Sequence, residues 1–184
     1  MPRVAFTTFA ILKRPYGDPV VQGFDDLTPP TFAQAEGSPG FVARAKESPD
    51  QSHLTNFSRD WGEWGRFEVP RFYTGGRTDD TDSRASTLSL WTDLESVFAF
   101  VYSGTHRTAL AQRHAWFLKP EWPTYAVWWV GDDEIPTWAD ACARLEHLHE
   151  HGPTPSAFTL RTAFAADGTP VRVRGLAESR STGA

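Results

Sequence analysis

Residues 4–13 alternate with apolar side chains on both sides: Val4, Phe6, Ala10 and Leu12 on one, Ala5, Phe9 and Ile11 on the other. An extended chain that is apolar on both faces predicts a central strand buried on each side. Residues 125–130 repeat the pattern, with Tyr125, Val127 and Trp129 opposed to Ala126, Trp128 and Val130. Further strands are predicted at 41–46 and 86–91, and a short fifth at 157–164. Val20, Val21, Phe24, Leu27, Phe32 and Ala35 recur at near-helical spacing. Pro29-Pro30 predicts a break in that helix, because proline has no amide hydrogen and disfavours helix at the residue before it. Thr92-x-x-Glu95 predicts a cap opening a helix through Val101, and Thr105 a cap for a second segment ending near Phe117. Thr137-x-x-Asp140 opens a third helix that stops at Gly152.

Between residues 47 and 85 the periodicity gives way to Ser, Asp, Gly, Pro and Arg, punctuated by Trp61, Trp64, Phe67, Phe72 and Tyr73. The length points to a functional or unstructured connection, and the aromatics oppose disorder. This predicts an insertion folded back over the domain, either as a lid over a site or as a partner-docking flap, with 75–82 as its flexible stem. Strand–helix–strand given twice predicts an α+β fold of the ferredoxin-like kind, an antiparallel sheet with helices on one face. The second face needs a cover, most simply the same face of another subunit in a two-fold homodimer. One domain is expected over residues 1–164, with 165–184 a flexible tail too polar to order itself.

Composition narrows the chemistry. At 184 residues one core suffices without staples. Cys142 is the single cysteine, so no internal disulfide forms and a reducing cytoplasm is the expected compartment. No segment reaches the length of a membrane span, and no secretory signal pattern opens the chain. The net charge of −5 opposes binding to nucleic acid. Eight tryptophans and thirteen phenylalanines must be concentrated in a core, an interface or a ligand cavity. A phosphate-cradling glycine loop, a nucleophile elbow, a paired-cysteine metal site and a dinucleotide fingerprint are all missing, which argues against nucleotide chemistry.

Several runs carry a family resemblance: Ser38-Pro39-Gly40-Phe41, Ser89-Leu90-Trp91, Phe100-Val101-Tyr102, His106, Arg113 with Trp116-Phe117, Trp128-Trp129, Pro136-Thr137, Arg144-Leu145, and the closing 151–155 and 157–159. They resemble a bacterial family of dimeric α/β-barrel proteins designated domain of unknown function 3291, over most of residues 3–160. The resemblance implies the fold, a dimer and a pocket between sheet and helices. The wider superfamily includes antibiotic-type monooxygenases that act without a bound cofactor, and haem enzymes with an axial histidine on the second helix. The length of the 47–85 insertion and the Pro29-Pro30 pair depart from the family pattern.

Candidate site residues follow from the same segments. His106 falls in the first turn of a helix, where the dipole disfavours imidazolium, so a neutral ring can act as general base. Tyr102 and Arg113 are candidates to stabilise an oxyanion. Trp116 and Trp129 would hold a ring plane, with Phe117, Trp91, Trp128 and His114 completing an aromatic pocket for a hydrophobic small molecule. Trp128 and Trp129 must point to opposite faces of one strand. Trp61 and Trp64 would act from the insertion. No cofactor is required, although His106 or His114 could serve as a haem ligand, and a non-catalytic binding or interaction protein is the alternative from another class. His147, His149 and His151 read as cations at a helix C-terminus, with no metal site expected.

Overall fold

The computed structural model describes residues 1–51, 53–75 and 83–174. Strand β1 (Arg3–Ile11) leads into α1 (Gln22–Glu36) and β2 (Phe41–Arg44). Three single-turn 3₁₀ helices occupy the insertion, at Pro49–Gln51, Asn56–Ser58 and Gly62–Trp64. Then come β3 (Arg84–Trp91), α2 (Leu94–Val101), α3 (Gly104–Trp116), β4 (Tyr125–Val130) and α4 (Trp138–His151), and a hairpin of β5 (Ala163–Phe164) and β6 (Pro170–Val171) closes the described chain. The sheet runs β2-β3-β1-β4 with every pair antiparallel, which is the ferredoxin-like order.

The two apolar faces of β1 go to two different covers. Val4 and Phe6, with Trp91 of β3 and Val127 of β4, pack on Leu94, Val97, Phe100 and Val101 of α2 and on Ala35 of α1. Ala5, Phe9 and Leu88, with Ala126 and Trp128, pack instead on Trp138, Ala141, Leu145 and Leu148 of α4. Trp61, Phe67, Val69 and Tyr73 of the insertion complete that second layer. The chain therefore covers its own second sheet face, and the argument that called for another subunit there loses its basis. Apolarity had shown that a cover was needed without showing which residues supply it.

Helix α1 runs unbroken through Pro29 and Pro30, contrary to the expected break. Both prolines are exposed, so the carbonyls that lose an amide partner lie where water can reach. On the opposite side Val21, Phe24 and Leu27 pack on Ala109, Trp116 and Phe117, and this contact holds the helix together. Gly23 permits it, since a Cβ there would sit 3.1 Å from the Trp116 ring.

Cap positions shift slightly from the sequence reading. Asp93, one residue after Thr92, caps α2 by accepting the Ser96 N–H at 2.7 Å. Thr137 and Asp140 form the expected reciprocal box on α4. The segment expected as one fifth strand over 157–164 meets the sheet through a two-bond bridge, in which Phe158 and Val127 exchange hydrogen bonds of 2.9 Å along the outer edge of β4, and its end, Ala163–Phe164, pairs instead with β6. Order continues past 164, through the β5–β6 hairpin to Val173, which is buried. The tail expected from 165 thus begins too early, and 175–184 lie outside the described residues, as do 76–82 of the expected stem.

Candidate functional site

The α2–α3 corner is assembled by a side chain from α1. Ser103 occupies the N-cap of α3, but its side chain caps no helix N–H. Gln34 acts in its place: its Oε1 accepts the His106 N–H at 3.1 Å, while its Nε2 donates to the Ser103 carbonyl at 3.2 Å and reaches the Phe100 carbonyl at 3.4 Å. Gly104 has φ +50°, and a Cβ there would lie 2.8 Å from Gln34 Oε1. Only glycine meets both demands at little cost.

His106 is oriented by this corner. Its Nδ1 lies 2.9 Å from the Val101 carbonyl, which can only accept, so Nδ1 carries the hydrogen and Nε2 keeps the lone pair. Among the described residues Nε2 makes no hydrogen bond. The ring rests against Phe100 with centroids 4.7 Å apart. Burial pulls its pKa below the ordinary histidine value, and the Val101 carbonyl opposes that only in part. The result is a neutral imidazole with one defined tautomer.

Other sequence candidates are distributed elsewhere. Tyr102, 41 % exposed at the end of α2, packs on Phe98 at 4.6 Å. Its neighbour Tyr125 has a phenol pKa raised by burial and then by the proximity of Tyr102. Arg113 is exposed and turns back to donate to the Leu110 carbonyl of its own helix at 2.6 Å. Seven residues of helix, about 10 Å along the axis, separate it from His106. His114 is exposed as well. The structure does not bring Arg113 or His114 to the imidazole.

The aromatic candidates divide among three packed clusters. Trp91 stacks on Phe100 at 5.1 Å, meets Phe41 edge-on at 5.3 Å and donates its indole N–H to Ser89 Oγ. Trp128 faces α4, and Trp129 points to the opposite face and donates to the Phe164 carbonyl at 2.7 Å. Trp116 and Phe117 belong to the α1–α3 corner. Space expected as a hollow beneath the helices is thus filled by Trp91 and Phe100. Phe100 lies against the His106 ring and in turn stacks on Trp91, so side chains occupy that side of the imidazole.

The insertion folds back over the domain, as its aromatics implied, but as core. Trp61 is buried, donates to the Asn56 carbonyl at 2.8 Å and meets Trp138 edge-on at 5.3 Å. Trp64 packs at the margin of the same cluster. Arg84 is buried with its guanidinium over Phe57 at 4.9 Å. These side chains pack as part of the second core layer in this structure. His147 bonds Thr154 Oγ1 at 2.7 Å and His149 lies on Phe72, and among the described residues no three metal-type side chains converge. No helix of the described residues is long and apolar enough to cross a membrane.

Sequence reasoning missed Gln34, because no pattern within α1 announces a contact to a residue 72 positions away. A glycine at the first position of a helix was the available signal.

These features define an α+β protein built on a ferredoxin-like sheet. The chain belongs to the family described as a domain of unknown function (DUF3291), whose model matches residues 3–174. Among solved structures it is similar to a protein of unknown function from Nitrosomonas europaea, at 11 % identity and TM-score 0.43 over 74 % of this chain and 97 % of that one. A second Nitrosomonas europaea protein, named for the antibiotic biosynthesis monooxygenases, matches at 15 % identity and TM-score 0.40 over 74 % of this chain and 93 % of that one. No curated protein matches significantly.

Proposed function

We propose that the protein binds a small hydroxy-aromatic molecule against the α2–α3 corner and transfers a proton through His106 without a cofactor. One observation supports this reading above the others: Nδ1–H is committed to the Val101 carbonyl while Nε2 carries a lone pair with no partner among the described residues. A base must be neutral and correctly oriented before substrate arrives, and this ring meets both conditions. Tyr102 is exposed beside Phe98 at the end of α2, two residues from the Phe100 that carries the His106 ring, and reports how far a bound ligand extends from the corner. Arg113 has no part in this version of the site, because its guanidinium is turned to Leu110. Proton transfer by a positioned histidine contributes about 10²–10⁴ in rate.

The test uses 2-naphthol as a planar phenolic probe, followed by NMR. Saturable shifts at the His106 and Tyr102 ring protons are expected, with His106-dependent incorporation of solvent deuterium into the ligand. His106→Gln should abolish the deuterium exchange. Shifts at neither ring would refute the site, and binding without His106-dependent exchange would refute the catalysis and leave a binding protein.

A further inference from the structure

A second place in the molecule carries unfinished polar chemistry, independent of the His106 corner. Between β1, β3 and the first half of α4 lies a partly open cavity with about 10 Å³ of room for the centre of a water-sized molecule. Thr7, Phe9, Ser86, Trp138 and Cys142 line it, and Glu68 of the insertion contributes to the wall from an exposed position. Two of those residues have polar atoms that are shut off from solvent and lack any hydrogen-bond partner among the described residues: Ser86 Oγ and the indole Nε1 of Trp138. Trp138 is only 3 % exposed, so no bulk water reaches its N–H. The Thr7 hydroxyl on the same wall is already committed to the Thr87 carbonyl at 2.8 Å.

The large majority of buried donors and hydroxyls in folded proteins are paired, by protein or by ordered water. Two orphans on one cavity wall therefore specify the occupant. Indole N–H can only donate, so the occupant must accept; the serine hydroxyl does both, so the occupant can donate to it. A cation fails the first condition, an apolar molecule fails both, and anything much larger than water does not fit.

We propose that this cavity is a binding site for one internal water, which accepts from Trp138 Nε1 and donates to Ser86 Oγ. Its second hydrogen is directed to the side of the cavity that Glu68 contributes to. Such a water joins three segments distant in sequence, namely β3, α4 and the insertion, and fastens the insertion to the sheet by a contact that no pair of side chains makes directly.

Nuclear Overhauser contacts between water and the indole N–H of Trp138 read this out in the intact protein. The expected result is a cross-peak of the sign that marks a long-lived water, assigned through its loss in Trp138→Phe. Ser86→Ala should remove the cross-peak while the indole resonances of Trp61 and Trp128 keep their positions. High-resolution crystallographic density in the cavity separates a bound water from exchange relayed by the Ser86 hydroxyl. An empty cavity in that density, or a wild-type indole with no water contact, would overturn the proposal, as would an unchanged cross-peak in Ser86→Ala.

Discussion

Phe67→Ala tests whether the insertion is core or lid. Phe67 is 4 % exposed and meets Trp138 edge-on at 4.9 Å and Phe57 at 5.2 Å, with Trp61 at 6.4 Å. Removing a buried phenyl ring costs roughly 3–5 kcal/mol through lost transfer energy and the cavity left behind. Edge-on aromatic pairs add about 0.5–1.5 kcal/mol each beyond buried area, which keeps this site off the lower end of that range, at about 4 kcal/mol. For a domain of this size each kcal/mol moves Tm by about 2–4 °C, so the expected fall is roughly 8–16 °C. Scanning calorimetry and urea unfolding would both measure it, with Glu63→Ala as an exposed control within about 0.5 kcal/mol of wild type. A mobile lid makes the opposite prediction, because its residues add little to global stability. A fall of less than about 2 °C in Phe67→Ala would refute the claim that the insertion belongs to the core.

The remaining predictions concern helices and protonation. Pro30→Ala should stabilise α1, by as much as ~3 kcal/mol, because an exposed interior proline is replaced by the best helix former; loss of stability in urea titration would contradict the reasoning. Asp93→Ala should cost about 0.5–2 kcal/mol by removing the α2 cap. Burial pushes the Asp93 carboxyl up, but bonds from the Ser96 side chain and backbone and from Thr92 more than offset it and leave its pKa low, so the cap should survive into mildly acidic solution. For His106 the folded pKa is depressed, so between that value and the ordinary ~6.5 the unfolded chain binds more protons. Its contribution is complete above pH ~6.5 and declines as pH falls through the folded value. Histidine ring titration by NMR should place His106 below the ordinary histidine value, and the acid-side loss should shrink in His106→Gln.

Some of the architecture could be read directly from the residues. Period-two apolarity marked β1 and β4, and reciprocal Thr137 and Asp140 marked the start of α4, because these signals are local: they depend on alternation or on groups three residues apart. The Pro29-Pro30 pair misled for the same reason. Local chemistry argued for a break, and packing of Val21, Phe24 and Leu27 on Trp116 outweighed it. At the candidate site, the place of His106 at the start of a helix was visible in the sequence, but the burial that lowers its pKa was not. Its partners were not, since Gln34 arrives from another helix and the Val101 carbonyl has no side-chain signature.

By itself the amino-acid order determined the four strands of the main sheet, three of the helix positions, the need for two covered sheet faces and the presence of a histidine at a helix start. Tertiary structure alone decided that α4 and the insertion supply the second cover, that the indoles part into separate clusters, and that Ser86 and Trp138 meet across one small cavity. Hydrophobic patterning states how much surface a segment must bury, but the burying surface is chosen by where distant segments fit together.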